Sequence, residues 1–241
     1  MKHFILRVLT GIAAFLLFNL SGNAQWKAGV TVGGSCNTLE TSSGYFYDRT
    51  YHAAGGYAFG AVVQREFKDW LAVGGEVNLL QKNYKMERSG FFKALQEQVK
   101  NTYLDVPVYA QFSFGGKRLR GFVNLGMYTG VWLGSRRKGK TYSWFSESSS
   151  DNIQGIEDFF ELYAYNEKVS FDSRRDNRFD WGMLAGAGLR YRVAGRWELA
   201  AECRYYRGLG DLQKDYMKGQ IPRYNDTFAF TVGVMYCFGK N

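Results

Sequence analysis

Apolar and polar residues alternate along eight segments of the chain, and the last of these shows the pattern without interruption. Between Thr227 and Phe238, bulky apolar side chains occupy every second position, and mostly smaller or polar residues lie between them. This period of two is typical of a β-strand whose two faces meet different surroundings. The eight segments are Trp26–Ser35, Gly56–Phe67, Trp70–Tyr84, Thr102–Phe114, Arg120–Leu133, Asp180–Val193, Trp197–Gly208 and Thr227–Phe238. The pattern predicts an all-β protein.

The lengths of the segments and of their connections indicate a membrane barrel. Each segment has ten residues or more, whereas strands of soluble proteins average about five or six and strands tilted across a bilayer need about nine to eleven. Long and short connections alternate strictly, and the short ones are residues 68–69, 115–119 and 194–196. Outer-membrane barrels have short periplasmic turns and long outer loops. We therefore predict an eight-stranded antiparallel up-and-down transmembrane β-barrel with long outer loops.

The two faces of each segment support this orientation. In Thr102–Phe114, the positions from Leu104 to Phe114 that share one face are apolar, whereas Asp105 and Gln111 lie on the other face. The segments Asp180–Val193 and Trp197–Gly208 divide in the same way, with glycines and charges of both signs on the polar face. A soluble barrel would turn its charges outward. The pattern favours an apolar exterior that faces lipid and a narrow, polar interior.

Tryptophans occur near the predicted ends of the strands, where aromatic girdles of membrane barrels lie. Trp26, Trp70 and Trp197 fall at the periplasmic rim, and Trp132 and Trp181 at the outer rim. Trp70 and Trp132 have the parity of the interior face, so either a bulge shifts them or they cap the interior.

Charged residues on the interior face predict a structural network of salt bridges. An eight-stranded barrel is just wide enough for its side chains to fill, and charges buried there must pair to offset their desolvation. A path for protons or ions is the alternative. The network is predicted to contain Glu76, Asp105, Arg190, Glu202 and Arg204. Glu198 is also assigned to the interior, and Lys27 and Lys82 lie closer to the ends.

Two basic clusters flank the longest predicted loop, residues 134–179. They are expected at the outer rim, at the level of lipopolysaccharide phosphates, which guanidinium groups bind through two parallel hydrogen bonds. Solvated loop charge is the alternative interpretation. The predicted lipopolysaccharide-binding residues are Arg136, Arg137, Lys138 and Lys140 on one side and Arg174, Arg175 and Arg178 on the other. Between them, the helical spacing of Ile156, Phe159, Phe160 and Tyr163 predicts a short helix over the barrel mouth.

The N-terminus has the pattern of a secretory signal peptide. Lys2 and Arg7 precede the apolar run Val8–Leu20, and small residues end at Ala24. We predict a signal peptide over residues 1–24 and a barrel domain over residues 25–241, in the outer membrane of a Gram-negative bacterium. An uncleaved anchor is the alternative. Loss of the two cationic residues lowers the formal net charge from +9 to +7, which suits an anionic surface, and export argues against a nucleic-acid partner.

Little in the sequence points to catalysis or to a cofactor. Three cysteines without a CxxC spacing, at positions 36, 203 and 237, predict neither a disulfide framework nor a metal site. His52 is the one histidine expected in the mature chain, and Ser42, Ser43 and Asp48 lie near it in sequence. A lipid hydrolase could use such groups, but no motif holds them together. We predict that the protein is not an enzyme.

Several stretches of the chain resemble the PorT-like outer-membrane β-barrel family of Bacteroidota. They read "GGEVNLLQKNYK", "TYLDVPVYAQFSF", "FDWGMLAGAGLRYRVAGRWELAAECRYYRGLGDL" and "FAFTVGVMYCF". The resemblance implies the same fold for nearly the whole mature chain, and one branch of the family is tied to protein secretion across the outer membrane.

The sequence as a whole predicts a structural or interaction role through the extracellular loops. The expected partners are outer-membrane lipid and lipopolysaccharide, another envelope protein at the outer loops, and the barrel-assembly machinery. That machinery reads an aromatic residue near the C-terminus, and Phe238 resembles this signal. A small pore or transporter and an outer-membrane lipid-modifying enzyme are the rival functions.

Overall fold

The computed structural model describes residues 25–41, 49–90, 93–143, 161–214 and 222–239. Within these residues the chain forms ten β-strands. No helix of this part of the chain is long and apolar enough to cross a membrane. The strands are β1 (Gln25–Thr41), β2 (Arg49–Lys68), β3 (Leu71–Gln81), β4 (Tyr84–Arg88), β5 (Gln96–Gly115), β6 (Leu119–Ser143), β7 (Glu161–Lys168), β8 (Phe179–Ala194), β9 (Trp197–Gly208) and β10 (Arg223–Phe238).

Eight of these strands close into a ring in which every pairing is antiparallel. The ring runs β1, β2, β3, β5, β6, β8, β9 and β10, and returns to β1. It closes where β1 and β10 pair continuously, from Trp26 opposite Phe238 to Thr41 opposite Arg223. This arrangement confirms the prediction of an eight-stranded up-and-down barrel.

The two remaining strands lengthen the wall on the outer side. β4 follows β3 after a two-residue break and pairs with β2 and β5. β7 pairs with the outer part of β6, on the same edge of β6 that pairs with β8 further along. The barrel wall therefore extends beyond the apolar band, and several predicted loops are shorter than expected.

The predicted loop 134–179 differs most from the structure. β6 continues to Ser143, and its backbone groups pair with β5 as far as Gly139 and with β7 beyond the apolar band. Tyr163 lies in the strand β7, so the predicted helix is wrong at this position. Ile156, Phe159 and Phe160 lie outside the described residues.

The outer surface of the ring is apolar and the interior is polar. On β10, Phe228, Phe230, Val232 and Val234 are exposed, whereas Thr227 between β1 and β9 is fully buried. In a membrane barrel, the exposed apolar side chains face lipid, and buried side chains such as Thr227 fill the interior. The face assignments made from the sequence hold on this strand.

The two tryptophans with interior parity, Trp70 and Trp132, lie on different sides of the barrel wall. The register of the β2–β3 pair shifts between Glu66 and Lys68, and Trp70 is exposed on the outer surface with its ring stacked on Phe112 at 6.3 Å. Trp132 is buried and stacks on Tyr103 at a ring separation of 5.8 Å. A shift of register thus explains Trp70, and capping of the interior explains Trp132.

Candidate functional site: plugged interior and basic outer rim

The centre of the barrel is filled by one arginine bound to two carboxylates. Arg204 donates through Nη1 and Nη2 to the two oxygens of Glu76, at 2.8 Å each. It also donates to Glu202, from Nε at 2.7 Å and from Nη2 at 2.8 Å. The three side chains are only 5%, 5% and 11% exposed. The structure brings these three predicted interior residues together.

Neighbouring polar groups complete the hydrogen bonds of this central layer. Tyr109 donates its hydroxyl to Glu76 at 2.6 Å, and Asn78 donates to the other oxygen at 2.9 Å. Tyr109 pairs with Gly74 on β3, where a Cβ atom would lie 2.6 Å from the tyrosine ring. A glycine on the interior face therefore gives a neighbouring tyrosine the space to reach a buried carboxylate.

A second layer of charge lies on the outer side of the first. The ammonium group of Lys82 lies 2.9 Å from Asp105 and 2.8 Å from Asp180, and all three side chains are at most 1% exposed. The same ammonium lies over the rings of Tyr103 and Tyr128, at 4.7 and 4.5 Å. Asp105 thus belongs to a different cluster from Glu76, although the sequence suggested a single network.

A third layer lies on the periplasmic side. Lys27 lies 2.7 Å from both Glu66 and Glu198, Arg190 lies 3.1 Å from Glu66, and Arg192 lies 3.1 Å from Glu198. Arg190 therefore pairs in this layer and not with the central carboxylates. Opposite charges close together offset part of the cost of removing each from water. The described interior is a stack of three ion-pair layers.

The sequence missed two carboxylates of this stack. Asp180 has interior parity in its segment, which could have placed it in the network, but its partner Lys82 comes from the break between β3 and β4. Glu66 lies at the register shift of the β2–β3 pair, where simple alternation fails.

The central layer leaves little empty space. A cavity of about 20 Å³ lies beside Glu76, Glu202 and Arg204, and a water molecule needs about 10–15 Å³. There is room for about one water molecule at this point.

The basic residues predicted at the outer rim separate onto two faces of the wall. Arg136, Lys138 and Lys140 alternate along β6 and are exposed. Arg137 lies between them on the opposite face, where its Nε is 3.4 Å from a carboxylate oxygen of Glu97. Consecutive residues of a strand point to opposite sides, so this run cannot form a single phosphate site.

The second predicted cluster is also divided. Arg175 is ion-paired with Asp176 at 3.0 Å. Arg178 donates from Nε to the backbone carbonyl of Trp132 at 2.9 Å, which ties it to the neighbouring strand. Arg174 is exposed in the connection between β7 and β8.

Strand pairing creates a basic group that the sequence did not indicate. Lys100 on β5 lies directly opposite Arg136 on β6, which lies directly opposite Lys168 on β7. All three side chains are exposed on the outer face, and we call them the basic rung. Arg136 is three residues beyond the exposed Leu133, or about 10 Å along the strand. Lys100 and Lys168 become neighbours of Arg136 only through the pairing of β7, so no local motif marks them.

The other candidate chemistry is sparse in the described part of the chain. His52 is exposed and lies 3.5 Å from Glu87, whereas Ser42, Ser43 and Asp48 lie outside the described residues. The three cysteines are free. Among the described residues, no three His, Cys, Asp or Glu side chains form a group that could hold a metal ion.

Comparison with solved structures finds similar chains among small outer-membrane barrels. OprG of Pseudomonas aeruginosa is 11% identical, with 91% of this chain and 97% of that chain covered and a TM-score of 0.47. AlkL, solved in lipid bilayers, is 15% identical, with 92% and 94% covered and a TM-score of 0.46. Ail of Yersinia pestis, in complex with sucrose octasulfate, is 15% identical, with 88% and 99% covered and a TM-score of 0.39.

The family comparison is more direct. No curated protein matches the chain, but the family model described as "Outer membrane protein beta-barrel domain" matches residues 19–214. That range covers most of the ring. The protein belongs to this family of outer-membrane β-barrels.

Proposed function

We propose that this protein is a closed outer-membrane barrel with a structural or interaction role, and that its basic rung binds lipopolysaccharide phosphates. The observation that carries the proposal is the row of three cations on adjacent strands. The positions beside Arg136 on the same face include Gln98, Lys138 and Asn166, none of which is a carboxylate.

Like charges directly opposite each other destabilise a sheet, and the basic rung contains two such contacts. A phosphate bound between the cations removes this repulsion, and an arginine can bind it with two parallel hydrogen bonds. Headgroups of the outer leaflet lie just beyond the apolar band of the barrel, which is where the basic rung is located. The outward exposure of the three side chains supports a ligand that approaches from the membrane and not from the interior.

Charge reversal of the basic rung is expected to reduce bound lipopolysaccharide. In the triple variant Lys100→Glu, Arg136→Glu and Lys168→Glu, three exposed contacts of up to about 1 kcal/mol each are lost, so the affinity should fall by up to about a hundredfold. The measurement is lipopolysaccharide phosphate per mole of protein after extraction and purification in mild detergent.

The matched control reverses three exposed cations at the periplasmic end, with the same change in net charge. Lys68, Lys117 and Arg118 serve this purpose, and their reversal should leave the lipopolysaccharide content unchanged. An unchanged content in the rung variant would refute this part of the proposal.

The ion-pair layers favour a closed barrel over a pore. Reconstituted in planar bilayers, the protein is expected to carry no steady ionic current above that of the bare membrane, because paired side chains fill the described interior. Protease resistance of the same preparation confirms that the barrel has folded. A reproducible conductance step would favour the pore or transporter alternative.

The proposed role is non-enzymatic. His52 and Glu87 form an exposed pair at 3.5 Å, and a hydrolase would also need a nucleophile within hydrogen-bond reach of its base. We also infer that residues 1–24 are removed as a signal peptide and that Phe238 is read by the barrel-assembly machinery. Membership of the PorT-like branch, and a link to secretion through a partner at the outer loops, rest on the sequence motifs.

A further inference from the structure

A cup opens to the outside above the Lys82 layer. Its volume is about 630 Å³, within the range of about 300–1,000 Å³ found for small-molecule sites. Trp132, Tyr84 and Leu212 lie buried at its base. The extensions of the wall beyond the apolar band form its sides, so this cup exists because β4, β6 and β7 continue outward.

Among the described residues that line the cup, cations outnumber carboxylates by six to three. The carboxylates are Glu97, Glu167 and Asp176. Two of them lie within ion-pair distance of Arg137 and Arg175. Among these described residues the net charge is positive, and five of the six cations are guanidinium groups. The cations are Arg49, Arg88, Arg137, Arg175 and Arg223, together with Lys140, which belongs to the outward-facing set of β6 and also borders the cup.

Donors from different strands converge near the base. Arg223 begins β10, and its backbone is held by a hydrogen bond from its N–H to Asp211 at 3.1 Å. No ion pair to Arg223 is found among the described residues. Burial raises the pKa of the Tyr84 phenol to about 12, while Arg137 and Arg223 are close enough to oppose that shift. The phenol therefore stays protonated and can donate to an anion that the two guanidinium groups attract.

Aromatic rings provide the apolar part of the same site. Tyr51 and Tyr84 pack edge to face, with ring centroids 5.8 Å apart. Tyr165 projects from β7 across Gly139, where a Cβ atom would lie 2.7 Å from its hydroxyl oxygen. Amphipathic rings of this kind offer an apolar body together with a polar tip. Such a lining suits the flat, hydroxylated rings of a sugar.

We propose that the cup binds a multiply anionic saccharide, phosphorylated or sulfated, that enters from outside the cell. This site is separate from the basic rung: Arg137 faces the cup, whereas its neighbour Arg136 faces the membrane. The ligand could come from the phosphorylated core of lipopolysaccharide or from a soluble sulfated glycan, and both share the chemistry that the cup recognises.

The test titrates the purified full-length barrel in detergent with myo-inositol hexakisphosphate by isothermal calorimetry. We expect saturable binding at one site and no binding of neutral myo-inositol. The variant Arg223→Gln should weaken binding about tenfold or more, since a hydrogen bond to a charged group is lost. The charge-reversed rung variant is the control and should keep the affinity of the unaltered protein.

Competition identifies the source of the ligand. Displacement of the probe by delipidated, phosphorylated core oligosaccharide assigns the cup to lipopolysaccharide, and displacement only by a sulfated disaccharide assigns it to a soluble glycan. Absence of saturable probe binding, equal affinity in Arg223→Gln, or failure of both saccharides to compete would each overturn the proposal. The binding of the probe by the cup and the lipopolysaccharide content of the rung variant are measured separately, so either proposal can fail while the other holds.

Discussion

Replacement of Arg204 by methionine is expected to destabilise the barrel by about 3–5 kcal/mol, because removing one partner of a buried ion pair leaves uncompensated charge. Arg204 is the shared partner of Glu76 and Glu202, with four hydrogen bonds between 2.7 and 2.8 Å. The substitution would leave two carboxylates close together in the centre of the interior. The free energy of unfolding is measured by denaturant titration of the protein in lipid vesicles.

The control for this prediction is an arginine of the same strand whose ion pairs are much more exposed than those of Arg204. Arg207 forms ion pairs with Asp226, at 2.7 Å, and with Glu40 near the outer end of the wall. Arg207→Met should cost no more than about 1 kcal/mol. If the two variants lost similar stability, the central layer would not have the structural role assigned to it.

A compensating variant distinguishes the two ways in which Arg204→Met can destabilise the barrel, namely the loss of the ion pairs and the loss of side-chain packing. Adding Glu76→Gln and Glu202→Gln to Arg204→Met removes the charges that the single variant strands in the interior. Replacing a whole buried ion cluster by well-packed apolar residues is often neutral or stabilising, whereas an unpaired buried charge is strongly destabilising. The triple variant contains no such unpaired charge, so most of the lost stability should return. Failure to recover would indicate that the shape of the arginine, and not its charge, supports the neighbouring tyrosines.

The ring and its two faces were predictable because lipid imposes a strict pattern. A charge on the lipid face is destabilising at the depth of the bilayer, so most spanning strands show their two faces in the sequence, and β10 shows them without interruption. A one-residue slip would reverse the faces. The alternation from Phe228 to Phe238 therefore identified both the strand and its outward side.

β7 was missed because this constraint ends with the bilayer. Its outward positions are Leu162, Ala164, Asn166 and Lys168, which are not uniformly apolar because water and headgroups surround them. The strand exists because it pairs with β6, a contact that no short segment can indicate. The basic rung depends on this pairing and was hidden for the same reason.

The division of the interior into layers could not be read from parity either. Parity identifies which charges point inward, but the stagger between strands decides which of them meet. Asp105 lies opposite Asn78, yet its counter-ion is Lys82, which lies in the irregular link after β3. The sequence therefore predicted the members of the network well and their partners poorly.

An arginine introduced at the middle of the lipid face should lower the free energy of unfolding far more than an arginine at the edge of that face. Val232 is 58% exposed, and the neighbouring positions Val32 and Ala201 face the same side. Val232→Arg is expected to destabilise the barrel in lipid vesicles by about 2–4 kcal/mol, because lipid cannot solvate the guanidinium at the midplane. Denaturant titration of the reconstituted protein measures the loss.

Leu119→Arg is the matched control, because Leu119 is 53% exposed but begins β6 at the periplasmic end. Near the interface the arginine reaches water and headgroups, so the expected cost is about 0–1 kcal/mol. Exposure alone predicts equal effects at the two positions, whereas a lipid exterior predicts a dependence on depth. Equal losses would mean that the apolar face of β10 does not meet the centre of a bilayer.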